Sequence, residues 1–145
     1  MNPNGRPERG VLTAVAVGGA LGAAARYGLA TAWPTTPAGF PWATLVTNLL
    51  GCALLGALMQ VIGSRRTAHR LARPFLGTGV LGGFTTFSTY AVETRELLAA
   101  GRPGLAAGYV LGTLAGALAA VRLGAWLATR LAPGGPRYSP KAPRP

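Results

Sequence analysis

The chain has 145 residues, of which 50% are hydrophobic and 12% are charged. That charged fraction is about half of what ordinary soluble domains carry, so the composition excludes a conventional soluble domain and is typical of a membrane protein. The net charge of +11 would suggest nucleic-acid binding in a soluble protein. Here the basic residues concentrate in the two tails and one loop, which favours contact with anionic lipid and control of topology, and no nucleic-acid partner is expected.

Four apolar stretches are each long enough to cross a membrane as a helix of about 20 residues. They cover residues 11–33, 41–62, 74–98 and 105–131 and are joined by short connections. The sequence therefore predicts an all-α membrane protein with four transmembrane helices per subunit and one transmembrane domain over residues 11–131. Residues 1–10 form an N-terminal tail, and the proline-rich residues 132–145 are predicted to be disordered. The first stretch resembles a cleaved signal, but it is interpreted as a retained span because membrane-like sequence follows it.

The third apolar stretch carries an unusual motif at residues 82–90, GGFTTFSTY. Paired glycines weaken a helix by about 1 kcal/mol each relative to alanine. Carbonyl groups freed at membrane depth must then find protein, water or an ion as partners. The sequence predicts that the third helix is broken near its middle, at an ion site or an ion pathway.

Two polar residues in other spans require an explanation. Asn48 lies in the second span, where it either lines a polar path or forms an interhelical hydrogen bond. Arg26 is a charge well inside the first span, where it either attracts anions in a vestibule or snorkels to the membrane surface. Glu93 and Glu96 are expected to form an interfacial cluster with Arg95.

The hydroxyl and aromatic side chains of the motif favour an anion path. Aromatic rings have positive edges, and hydroxyl and amide donors can replace part of the hydration shell of a small anion. The C-terminal end of a half-helix carries partial negative charge and suits a cation. The segment could thus hold a fixed cation and line an anion path. Small-residue faces, Gly18 with Gly22 and Gly108 with Gly112 and Gly116, predict close helix contacts, and four helices enclose so little that a dimer is expected.

Three segments together resemble the CrcB/Fluc fluoride channels. They are residues 18–27 (GGALGAAARY), 44–51 (TLVTNLLG) and, with the highest specificity, 82–89 (GGFTTFST). The resemblance extends over residues 11–131. It implies an antiparallel, dual-topology-type dimer of four-helix subunits with two fluoride pores. It also implies one structural sodium ion, which is not transported, held at the dimer centre by backbone carbonyls.

The resemblance also assigns roles to individual positions. Gly82 and Thr85 match the sodium-coordinating residues, and Arg26 matches the first-span arginine, at a vestibule or in a structural role. The pore positions are Asn48, Phe87, Tyr90, Ser88, Thr89 and Thr113. Tyr90 stands where the family usually has a second phenylalanine, and its hydroxyl can donate a hydrogen bond.

The basic residues are distributed unequally between the two sides of the predicted membrane. Arg102 and Arg95 fall on one side, and the other side carries Arg6, Arg9, Arg65, Arg66, Arg70, Arg73, Arg130, Arg137, Lys141 and Arg144. The positive-inside rule then places both termini in the cytoplasm of a multi-pass protein of the cell membrane. This bias suggests that the antiparallel dimer forms with a related subunit of opposite orientation, although a dimer with itself stays open.

The expected function is passive, fluoride-selective export from the cytoplasm, which reduces fluoride toxicity, and not an enzymatic activity. A proton-coupled exporter is disfavoured because the first two spans contain no titratable acid. A purely structural membrane protein would not explain the hydroxyl and aromatic run beside Asn48.

Overall fold

The computed structural model describes residues 9–36, 39–64 and 69–131, and every regular element within these ranges is a helix. The elements are α1 (Arg9–Ala32), α2 (Trp42–Ser64), a π-helix (Arg73–Leu81), the short α3 (Gly82–Phe84), α4 (Ser88–Ala99) and α5 (Pro103–Leu131). The predicted tails, residues 1–10 and 132–145, lie outside the described residues except for Arg9 and Gly10.

Three of the helices, α1, α2 and α5, are long and apolar enough to cross a membrane. This confirms the prediction of an all-α membrane protein. The chain between α2 and α5 differs, because the π-helix and α3 are separated from α4 by residues 85–87, which are not helical. A fourth crossing and a dimer stay predictions.

Contacts between the helices fix their relative directions. Asn48, near the start of α2, bonds to Thr86, whereas Leu55 and Met59, further along α2, lie beside Gly77 in the π-helix. The π-helix and α4 therefore run opposite to α2. By the same reasoning, α5 runs parallel to α2, and α1 runs parallel to the π-helix. The N-terminal ends of α1 and of the π-helix and the C-terminal ends of α2 and α5 thus share one end of the bundle.

Two helix contacts are so close that only glycine fits. A Cβ atom on Gly22 would overlap the backbone of Val80, and one on Gly124 would overlap the backbone of Ala53 in α2. Of the predicted small-residue faces, the one in α1 packs against the π-helix. In α5 the expectation is wrong within the subunit for Gly108 and Gly112, where a Cβ meets open space, but Gly116 does lie close against Leu49 of α2. The close contact of α5 with α2 lies nearer its C-terminus.

The buried apolar core is small and lies at the end where α4 turns into α5. It consists of Leu97, Ala106 and Tyr109, with partly buried apolar side chains around them. Gly101, with φ of 70°, ends α4 in a left-handed turn, because its amide bonds to Leu98 and the next amide bonds to Leu97. Many large apolar side chains elsewhere are exposed, as expected of surfaces that contact lipid.

Candidate functional site

At the non-helical residues 85–87, two backbone amides donate to side chains instead of to helical carbonyls. In a continuous α-helix the amide of Thr86 would donate to the carbonyl of Gly82, and that of Thr89 to the carbonyl of Thr85. Instead the Thr86 amide donates to Asn48 Oδ1 at 2.8 Å, and the Thr89 amide donates to Thr86 Oγ1 at 3.2 Å. The carbonyl oxygens of Gly82 and Thr85 have therefore lost their regular helical donors.

Asn48 holds the non-helical backbone from α2. Besides accepting from the Thr86 amide, its Nδ2 donates to the Thr86 carbonyl at 3.0 Å. The interhelical hydrogen bond considered as an alternative for Asn48 is therefore present. The side chain is 8% exposed, and its second Nδ2 hydrogen is left for another acceptor because an amide nitrogen carries two.

Arg26 supports the same segment from α1. Its Nε donates to the carbonyl of Gly83 at 3.2 Å, which in a continuous helix would accept from Phe87. Arg26 is partly buried and does not simply extend to the membrane surface. A charged donor stabilises a carbonyl more strongly than a neutral one does, so this contact compensates for part of the cost of the non-helical backbone.

Beside Arg26 lies a small space that we call the hydroxyl cavity. It has a volume of about 30 Å³ and is lined by Arg26, Ala30, Ala43, Thr44, Thr47, Thr86 and Thr89. A space of this size holds one water molecule or one small ion. Its walls are a cation and hydroxyl groups, which together favour an anion.

On the other side of Asn48 lies an open groove between α2, the π-helix, residues 85–87 and α5. Its volume is about 470 Å³, and its lining includes the predicted residues Asn48, Gly82, Thr85, Phe87, Tyr90 and Thr113. The Phe87 side chain is 80% exposed, and its ring centroid lies 5.7 Å from that of Tyr90. Thr113 Oγ1 is buried and has no hydrogen-bond partner among the described residues.

The predicted polar residues therefore divide between two spaces. Asn48 and Thr113 line the groove, whereas Thr89 and Arg26 line the hydroxyl cavity. Ser88 is exposed and lines neither of these two spaces, although its hydroxyl lies 3.3 Å from that of Thr86. The Tyr90 hydroxyl donates to the Val110 carbonyl at 3.4 Å, so its only described bond is to the backbone of α5.

Sequence reasoning missed the residue that joins the two spaces. Thr86 bonds to Asn48 through its backbone and to Thr89 through its hydroxyl, at 3.1 Å, and it lines both the groove and the cavity. The spacing of Thr44, Thr47 and Asn48, which places them on one face of α2, was the available signal for a polar patch opposite the motif.

Glu93 also differs from expectation. Its carboxylate accepts from Thr44 at 2.8 Å and from Tyr109 at 2.7 Å, rather than joining an interfacial cluster with Arg95. Within the described ranges, no group of three or more histidine, cysteine or acidic side chains could hold a metal ion. Backbone oxygens are therefore the metal ligands to consider.

The chain was compared with known proteins. Residues 13–125 match the family described as CrcB-like protein, Camphor Resistance (CrcB). Fluoride-specific ion channel FluC 1 of Streptomyces coelicolor is 54% identical over 126 residues, which cover 87% of this chain and 82% of the relative. FluC 2 of Nocardia farcinica is 52% identical over 79% of this chain and 81% of its own length. FluC of Paracoccus denitrificans is 47% identical over 76% and 87%, respectively.

Proposed function

The chain belongs to the CrcB-like family, and from that premise we propose that it is a fluoride-selective channel that lets fluoride leave the cytoplasm passively. Its relatives carry the name of ion channels, and it is a multi-pass membrane protein rather than an enzyme. Passive export would lower cytoplasmic fluoride without a nucleotide or another energy source.

One observation carries this proposal: the groove brings an exposed and a partly buried aromatic ring together with polar groups that lack a full set of partners. Phe87 and Tyr90 lie side by side, and Asn48 and Thr113 on the same surface each have an unused hydrogen-bonding group. A small anion leaving water could exchange its hydration shell for these donors and for the positive ring edges. Larger halides would be excluded because the donors are fixed by α2 and α5.

The second space supports an entry route. Arg26 and the hydroxyls of the small cavity attract an anion to the far side of Thr86. Thr86 lines both the cavity and the groove, and Asn48, which lines the groove, bonds to Thr86. We propose that fluoride passes from the hydroxyl cavity to the groove along these groups.

We also propose that the carbonyl oxygens of Gly82 and Thr85 hold a structural sodium ion that is not transported. What supports this is that both oxygens have lost their helical donors and that both residues line the groove. Hard cations prefer oxygen ligands of this kind. The ion would supply positive charge to neutralise the two carbonyl dipoles, and Asn48 and Arg26 would hold the backbone in the conformation that presents them.

Two carbonyls do not complete a cation site, so the proposal includes an antiparallel dimer in which a second subunit supplies the rest. Gly82 supports it. A Cβ there would meet no atom closer than the Gly77 carbonyl at 3.8 Å, so the fold of the single subunit does not require glycine at this exposed position. Close approach of a partner or an ion would require it.

The orientation proposal rests on the charge bias between the two ends of the bundle. Arg9, Arg73 and Arg130 lie at one end, and Arg102 lies at the other. From this bias and the positive-inside rule we propose that the first end, and with it both termini, faces the cytoplasm. A chain with a single preferred orientation would form the antiparallel dimer with a related subunit of the opposite orientation. The chain alone would then give no fluoride flux.

The experiment is fluoride efflux from liposomes that contain the purified chain, followed with a fluoride electrode, with chloride efflux measured in parallel. We expect fluoride flux without chloride flux if the chain pairs with itself. Phe87→Ala and Asn48→Asp should lower it by about tenfold or more, because each removes a group that would contact the charged ion. Leu111→Ala is the control, since Leu111 is 66% exposed on α5 and does not line the groove.

The same liposomes separate a channel from a proton-coupled exporter. Glu93 is a partly buried carboxylate in α4, so an acid that could carry protons is present. A channel conducts fluoride with equal pH on both sides, driven only by the fluoride concentration gradient and the membrane voltage. Normal flux in both the Phe87 and Asn48 variants, or flux that requires a pH gradient, would contradict the proposed function.

A further inference from the structure

The C-terminal third of α5 carries a stripe of two arginines and a tryptophan that the proposed channel does not use. Arg122, Trp126 and Arg130 are spaced four residues apart and lie on one helix face. Arg122 and Arg130 are exposed, and Trp126 is 52% exposed. The Arg130 guanidinium lies over the Trp126 ring, 5.3 Å from its centroid.

This stripe faces away from the rest of the subunit. Gly124 lies against Ala53 of α2, Ala128 is also buried, and Trp126 is two residues from each, about 200° round the helix axis. The groove residues Thr113 and Ala117 lie on the same side of α5 as Gly124, at about 100° per residue. A partner seated on the groove would therefore leave the stripe exposed.

The position along the helix places Arg130 at a membrane surface and leaves Arg122, about 12 Å before it, to extend its long side chain towards that surface. α5 has 29 residues, so it is about 43 Å long at 1.5 Å per residue. The hydrocarbon layer is about 30 Å thick. The last turns of α5 thus reach the headgroup region, where tryptophan is enriched and where arginine side chains extend towards phosphate.

No acidic side chain is available at this end of the described bundle. The sequence has three acidic residues. Glu93 and Glu96 lie in α4 near its turn into α5, and Tyr109, which bonds Glu93, is about 20 Å along α5 from Arg122. Glu8 lies outside the described residues. Within the described part of this subunit, the two guanidinium groups therefore have no acidic counter-ion nearby.

We propose that the stripe formed by Arg122, Trp126 and Arg130 is a binding site for an anionic phospholipid. A guanidinium pairs with a phosphate through two parallel hydrogen bonds, and the two arginines, about 12 Å apart along the axis, flank an aromatic surface for the glycerol and upper acyl chain. Anionic leaflet lipids attract basic residues at the membrane surface. The site would hold the C-terminal end of α5 at the cytoplasmic surface.

The test uses fluorescence quenching of Trp126. The sequence has three tryptophans, so Trp33→Phe and Trp42→Phe leave Trp126 as the reporter in the otherwise complete chain. It is placed in vesicles with brominated phosphatidylglycerol or, at the same mole fraction, brominated phosphatidylcholine. We expect phosphatidylglycerol to quench more strongly, and Arg122→Gln with Arg130→Gln to lower that preference by about fivefold per arginine, equivalent to about 1 kcal/mol each.

A variant of equal net charge is the control, because any strongly basic protein gathers anionic lipid. Arg9→Gln with Arg73→Gln removes two exposed arginines at the same end of the bundle but from other helices, and it should leave the preference unchanged. Equal losses in both double variants, equal quenching by the two lipids in the parent, or no quenching by either would overturn the proposal. The readout does not involve fluoride, so its failure is distinguishable from failure of the channel assignment.

Discussion

Asn48→Leu tests how the non-helical segment is held. Leucine has a similar size but no polar group, so the change removes both hydrogen bonds to Thr86, of 2.8 and 3.0 Å. The amide and the carbonyl of Thr86 are then left without protein partners in a partly buried segment. We expect the free energy of unfolding to fall markedly and fluoride flux to be lost.

The structure sets the size of the effect. An unsatisfied buried polar group costs about 1–3 kcal/mol, which gives about 2–6 kcal/mol for two. Interhelical hydrogen bonds in membrane proteins average only about 0.6 kcal/mol, because the unfolded chain finds other partners. The lower part of the larger range applies here, because no neighbouring turn can accept or donate in place of Asn48 but the segment is only partly buried.

The measurement is unfolding in mixed micelles with increasing dodecyl sulfate, followed by circular dichroism. Gln60→Leu is the matched control, because it makes a similar exchange at an exposed position of α2. Asn48→Asp should also lower the free energy of unfolding, since its carboxylate still accepts from the Thr86 amide but faces the Thr86 carbonyl with no hydrogen to donate. A loss for Asn48→Leu no larger than that for Gln60→Leu would refute this account of the segment.

Other variants separate stability, assembly and conduction. Gly83→Ala should destabilise the subunit, because its Cβ would overlap the Gly19 backbone, whereas Gly82→Ala should leave unfolding unchanged and lower the dimer fraction in cross-linking. Arg26→Met should lower the free energy of unfolding by about 1–2 kcal/mol through loss of the Gly83 bond. Thr113→Val should keep or slightly raise stability, because its hydroxyl has no described partner, yet lower fluoride flux. Normal flux in Thr113→Val would remove Thr113 from the proposed path.

Hydropathy alone was enough to predict the long helices, because these depend only on the apolar composition of the sequence. Residues 11–33, 41–62 and 105–131 follow from uninterrupted apolar sequence, and α1, α2 and α5 occupy these regions with ends that differ by one or two residues. Such helices satisfy all their backbone bonds internally. Their prediction therefore needs no knowledge of which helices are neighbours.

The motif at residues 82–90 depends on partners that are distant in sequence. Gly82 and Gly83 are themselves helical, and the non-helical residues are 85–87. That position is set by Asn48, which competes for the Thr86 amide from 38 residues away, and by Arg26, which bonds Gly83 across 57 residues. The low helix propensity of glycine predicts a weak helix near Gly82 and Gly83. It cannot specify which backbone amides donate to partners outside the helix.

The role of Glu93 was missed for a related reason. Its spacing from Arg95 and Glu96 indicates a charged helix end, which is what local sequence shows. Its actual partners, Thr44 in α2 and Tyr109 in α5, become neighbours only after α4 packs between these helices. A carboxylate with two hydroxyl donors does not need a cation beside it. The charge pattern of the sequence therefore did not indicate the position of Glu93.

The groups that stabilise the non-helical segment are also those proposed to solvate the ion. Asn48 uses one amide hydrogen to hold the Thr86 carbonyl and keeps the other for the groove, and Thr86 uses its hydroxyl to cap α4 while it separates the two spaces. A substitution that alters ion contact at either position therefore also removes backbone support. We therefore expect that substitutions at Thr113 and Phe87 can change selectivity, because the polar or aromatic groups of these residues hold no backbone in place. Substitutions at Asn48 and Thr86 should not be tolerated.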